Sequence, residues 1–120
     1  MTTPIAYKLF FDDIRVPTDV YPDTKNEDWV IARTIKQFKD AIISAGLPSF
    51  CSFDNDLGDT LEEAKDAVKW LVAEKYDLRK MDFNVHSANS ADSGPRHFMT
   101  SLINNWRKFL DKFPEEAKKG

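Results

Sequence analysis

Two short apolar runs in this chain stop abruptly at acids. Residues 5–11 (IAYKLFF) end in Asp12-Asp13, and residues 49–53 (SFCSF) end in Asp54-Asn55-Asp56. A stretch of five to seven apolar residues bounded by polar ones is too short for a buried helix and suits a buried strand. Two further segments fit the same description: WVIAR at 29–33, and DFNVH at 82–86, which ends in Ser87-Ala88-Asn89. Between them lie helical stripes. Ile35, Phe38, Ile42 and Ala45 share one face, with Gly46 as the stop. Thr60 and Glu63 form a capping box ahead of Leu61, Ala64, Val68, Leu71 and Val72, predicting a second helix to about Lys75. Gly94-Pro95 opens a third, with Phe98, Leu102, Trp106, Phe109 and Phe113 spaced to face a core. Residues 14–28 contain Pro17, Pro22, several acids and no periodicity, so they predict a long irregular connection, sufficient for a crossover between parallel strands.

Alternating strands and helices imply an α/β fold: a single small three-layer domain with a mainly parallel four-stranded sheet, in order 2-1-3-4. It should occupy residues 1–113, followed by a charged tail, 114–120, expected to fray. In such a sheet the ligand crevice lies beyond the carboxyl ends of the strands, where strand order reverses. Here that is between the first and third strands, which carry the acids.

Composition narrows the chemistry. Four glycines, at 46, 58, 94 and 120, allow neither a dinucleotide-binding G-x-G-x-x-G nor a P-loop. Cys51, His86 and His97 are too few and too scattered for a usual zinc site. Cys51 lies inside an apolar strand and reads as core, as do Phe10, Phe11, Phe53, Trp70 and Trp106. A net charge of −3 with no basic run longer than a pair argues against an extended nucleic-acid surface and leaves room for a small anionic ligand. The N-terminus has no signal-peptide apolar run, and a lone cysteine makes no disulfide framework, so a cytoplasmic setting without a membrane is expected. A compact lone domain also suits a phage or accessory-operon protein.

The strand ends gather Asp12, Asp13 and Arg15, then Arg33, then Asp54 and Asp56, then His86, Ser87 and Asn89. Acids after strands often serve only as turn formers, but turn chemistry does not call for arginines and His86-Ser87 beside them. Asp54 and Asp56, two apart on extended backbone, should point the same way, whereas Asp12 and Asp13 diverge unless the chain turns there. Crowded carboxylates repel unless a divalent cation or an arginine neutralises them. From this we expect Mg2+ or Mn2+ on Asp12, Asp13, and Asp54 or Asp56. On the same reasoning, Asp54→Asn should leave metal-free stability unchanged or raised.

The segments LFFDDIRVP, WVIAR, SFDNDLG and VHSAN resemble the cyclic-phosphate processing receiver-like domains, a reduced relative of response-regulator receivers, over about residues 8–89. The resemblance implies a receiver/flavodoxin-like fold lacking the fifth strand and its lysine. It also implies metal-binding acids at Asp12 and Asp13, a phosphoacceptor-like Asp54, a phosphoryl-contacting Ser87, and further polar residues at Arg15, Arg33, His86 and Asn89. The expected function is then a metal-dependent phosphoesterase or phosphate-binding protein for a nucleotide-like or cyclic phosphate. Asp54, His86 and Ser87 would be catalytic, and Arg15, Arg33 and Asn89 would bind substrate. The alternatives are a non-catalytic nucleotide-binding or sequestering module and a degenerate receiver used for protein interaction.

Overall fold

The computed structural model describes residues 7–54, 61–86 and 94–119, without the side chains of 61–64, 86 and 94–98. The elements are β1 (Lys8–Phe11), α1 (Pro17–Val20), β2 (Trp29–Ala32), α2 (Ile35–Ala45), β3 (Phe50–Asp54), α3 (Leu61–Ala73), β4 (Asp82–His86) and α4 (Gly94–Lys112). All strand pairs are parallel, in the order β2-β1-β3-β4 expected from the sequence. Helix α2 begins where Thr34 accepts a hydrogen bond from the Gln37 N–H. It ends at Gly46, whose φ of 86° is the left-handed value that a residue without Cβ adopts most readily.

Strand alternation sorts the sheet into two unlike faces. Leu9, Phe11, Ala32, Cys51, Phe53 and Val85 join Phe38 and Ile42 of α2, Ala67, Val68 and Leu71 of α3, and Met99 and Ile103 of α4 in one core. The Phe38 ring is 5.1 Å from Phe11 and 5.9 Å from Phe53. Burying each such side chain contributes about 1.5–3 kcal/mol. The alternate residues Phe10, Ser52 and Asn84 lie on the opposite face, where Ser52 and Asn84 meet Tyr21 of the connection between β1 and β2. Phe10 packs edge-on to Trp29, and Tyr21 lies over Ser52 and Asn84. The third layer is therefore thin, built from that connection and the single turn of α1.

Three local expectations change. The 14–28 connection is not wholly irregular: Pro17, whose fixed φ suits a first helical position, opens α1, and Asn26–Asp28 make a 3-10 turn. Among the described side chains of α4 the buried ones are Met99, Ile103 and Leu110, whereas Phe109 and, just after the helix, Phe113 are exposed; the Phe98 side chain lies outside those described. Two apolar stripes lie side by side on this helix, and packing on α3 and the 78–80 turn chose the one a residue away from the expected stripe. Leu102 and Trp106, half-buried, border both, and Trp106 Nε1 donates to the Tyr76 carbonyl at 2.8 Å.

The tail is held as far as Lys119 and is not frayed there. Lys75, in the turn after α3, has a left-handed conformation, φ 62°, and its carbonyl accepts from the N–H groups of Lys118 and Lys119. The Asp77 N–H donates to the Lys119 carbonyl at 2.7 Å. A 3-10 turn at Pro114–Glu116 reverses the chain to make this docking possible. Among the described residues, no helix is long and apolar enough to cross a membrane.

Candidate functional site

The parallel register pairs Lys8 with Phe50 and Phe11 with Phe53. Continued by one residue, it brings Asp12 opposite Asp54, and the Asp12 N–H still donates to Ala32 at 3.1 Å, extending the ladder past β1. Both acids have the parity of Phe10 and Ser52. They therefore face the β1–β2 connection and not the helical core. Both are fully buried, and Asp54 Oδ2 is closed to solvent.

Asp12 also shapes the turn that follows it. Its Oδ1 accepts from the N–H groups of Ile14 and Arg15, each at 2.9 Å, which bends the chain back immediately after the strand. The bend returns the Arg15 side chain to the sheet. Its Nε donates to Asp12 Oδ2 at 2.9 Å and its Nη2 to Asp54 Oδ1 at 2.7 Å. A buried carboxylate pair is costly without a counter-charge, and this guanidinium supplies one through two charge-assisted bonds. Arg33 holds the turn from the other side: its Nη1 donates to the carbonyls of Asp12, at 3.2 Å, and Arg15, at 2.5 Å. The bonds of Arg33 are thus to backbone, and its own N–H donates to Gln37 Oε1 at 2.6 Å, tying it to the start of α2.

One carboxylate oxygen from each of Asp12, Asp13 and Asp54 lies within 4.8 Å of the others. Asp13 is exposed and Ile14 is 79% exposed, so the acidic group meets solvent on their side. The turn made by Asp12 overcomes the divergence expected of adjacent residues in a strand. A hard-oxygen donor set of this kind fits Mg2+ or Mn2+ chemically. Arg15 already offsets one of the two buried charges, so the repulsion between them is reduced before any ion binds. His86 is the register partner of Asp54 in β4. Asp56, Ser87 and Asn89 lie outside the described residues.

The sequence reading overlooked a polar line on the same sheet face. Tyr21 OH and Ser52 Oγ are 2.7 Å apart, and Asn84 Nδ2 donates to Tyr21 OH at 2.8 Å. The available signal was Ser52 itself, a hydroxyl at an alternate position of an otherwise apolar strand. Cys51, on the opposite parity, is buried in the core as expected, and burial pushes its thiol pKa well up, away from nucleophilic use.

No curated protein and no solved structure matches the chain. The sequence model of the cyclic-phosphate processing receiver domain does match, over residues 7–105, a span that includes all four strands with Asp12 and Asp54. With its parallel 2-1-3-4 sheet and acids at the ends of β1 and β3, the chain belongs to the cyclic-phosphate processing receiver domain family.

Proposed function

We propose that the pocket at the carboxyl ends of β1 and β3 receives the phosphoryl group of a nucleotide-like or cyclic phosphate, and that the protein is a metal-dependent phosphoesterase. The observation that carries this reading is the convergence of Asp12, Asp13 and Asp54 on one small volume with Arg15 across it. Membership in a family named for cyclic-phosphate processing supports the ligand class.

Asp12, Asp13 and Asp54 would hold Mg2+ or Mn2+, which would supply charge neutralisation and polarisation of a phosphoryl oxygen when bound. Arg15 offers a planar fork suited to phosphate oxygens. Asp54, at the strand-order reversal, either activates water or attacks phosphorus. In direct attack a carboxylate oxygen bonds to phosphorus, the ester oxygen leaves with the electron pair and takes a proton, and water later releases the aspartyl phosphate. Ser87, by family resemblance, contacts the phosphoryl oxygens; His86 is the other candidate for activating water, Asn89 a further substrate-binding residue, and Asp56 the alternative to Asp54 as metal ligand.

A second reading is a binding module without turnover. The Arg15 bridge favours it, since a side chain of the protein itself offsets part of the charge of the buried acids. The full chain should be incubated with 2′,3′-cyclic and 3′,5′-cyclic mononucleotides, with Mg2+, Mn2+ or chelator, and followed by phosphorus NMR and calorimetry. Metal-dependent ring opening supports the esterase. Binding without turnover supports the module, and no binding to any of these phosphates defeats both.

A further inference from the structure

Arg15 contacts both buried members of the acidic group, using Nε on Asp12 and Nη2 on Asp54. Its backbone is fixed from two directions, by Asp12 Oδ1 on its N–H and by Arg33 on its carbonyl. The side chain is 21% exposed, whereas those of Asp12 and Asp54 are 1% exposed. Any exchange at the pocket is therefore a movement of this side chain on a held backbone, toward the open side where Asp13 and Ile14 are exposed. A divalent cation among the three carboxylates would meet the guanidinium at close range, and two positive groups there repel each other in a poorly solvated site.

We propose that Arg15 is an internal counter-ion that competes with a divalent cation for Asp12 and Asp54, so that loading the pocket displaces its guanidinium toward the phosphoryl ligand. This rests on the reading of the pocket as a metal and phosphate site, and it assigns that site a two-state control. With the arginine in, its guanidinium occupies one oxygen of each buried acid and offsets one of their two charges, so a cation binds less readily. With the arginine out, the carboxylates accept a cation and the fork is available to phosphate oxygens, to which it donates as it now does to the carboxylates. Apparent metal affinity is then lowered by the fraction of molecules with the arginine out.

The test uses full-length wild type, Arg15→Gln and Arg15→Lys, titrated with MnCl2 and MgCl2 by calorimetry at constant ionic strength, with melting measured in chelator. If the arginine-out state is populated at about 10% or less, Arg15→Gln should bind Mn2+ about tenfold or more tightly than wild type. It should also melt lower in chelator and lose the phosphate binding that wild type gains with metal. Arg15→Lys, which keeps a charge but no fork, should fall between the two in metal affinity, and it carries the comparison if Arg15→Gln does not fold in chelator. Equal or weaker Mn2+ affinity in the folded variant overturns the proposal and leaves the phosphate reading standing. Absence of Mn2+ binding in all three proteins overturns it as well, and titrating wild type with a cyclic mononucleotide in chelator then shows whether the phosphate reading survives without metal.

Discussion

Nη2 of Arg15 lies 2.7 Å from Oδ1 of Asp54, a residue 39 positions away on another element. This contact joins the first connection to the strand-order reversal, and it changes what a substitution at Asp54 does. Asp54→Asn removes one of the two buried charges that Arg15 faces and the charge-assisted bond made to it, so the metal-free protein should lose about 1–3 kcal/mol, contrary to the stabilisation that carboxylate repulsion alone implies. Chemical denaturation in chelator measures it. In an Arg15→Gln background the same substitution should cost distinctly less, because the partner is already gone. Equal costs in both backgrounds would show that the ion pair contributes nothing to folding.

Arg33 is expected to act on the turn and not on the ligand directly. Arg33→Ala removes two bonds to backbone carbonyls and should destabilise the fold by about 1–3 kcal/mol. It should also speed proteolytic cleavage within 12–28. Arg33→Lys, which keeps a cationic donor, should recover part of both. A variant that lost phosphate affinity while keeping wild-type stability and protease resistance would instead place Arg33 against the ligand.

Tyr21→Phe keeps the stack on Trp29, whose ring centroid is 5.3 Å away, and removes the hydroxyl shared by Ser52 and Asn84. The expected cost is about 1 kcal/mol, read as a lower melting temperature. An unchanged melting temperature would mean that solvent replaces the hydroxyl at no cost.

Acid should weaken the link between the 78–80 turn and α4. Hydrogen bonding from Arg79 holds the Asp77 carboxyl below its ordinary value of 3.8. The lowered folded value means that this stabilisation is complete above the unfolded pKa and is lost as pH falls through the lower folded one. Asp77→Asn should therefore lower stability by about 1 kcal/mol at neutral pH. The gap from wild type should narrow progressively below pH 3.8. A gap that stayed constant through the acid range would assign the loss to something other than charge.

Much of the architecture was legible in local pattern. Apolar runs ending in acids marked β1 and β3, the Ile35-Phe38-Ile42 stripe with Gly46 marked α2, and strands separated by helices or, between β1 and β2, by a long connection implied mainly parallel pairing. The placement of Asp12 and Asp54 at one crevice followed from the same rule, since ligand crevices sit where strand order reverses. On α4, Leu102 and Trp106 of the expected stripe pack against the core but Phe109 and Phe113 are exposed, because they are as apolar as Met99 and Ile103 and hydrophobicity alone does not say which of two adjacent faces a neighbour will cover. The tail was misread because its bonds run to the backbone around Lys75 and Asp77, which no side-chain pattern reports.

The sequence by itself determined the strands, their parallel order and the carboxylates at their ends, because periodicity and chain-crossing rules act on short segments and on connection lengths. Only the tertiary structure decided that the pocket's counter-charge is Arg15. Electrostatic balance depends on distances of a few ångströms between residues far apart in the chain, and here those distances were set by the register of β1 against β3 and by the turn that Asp12 makes with its own side chain.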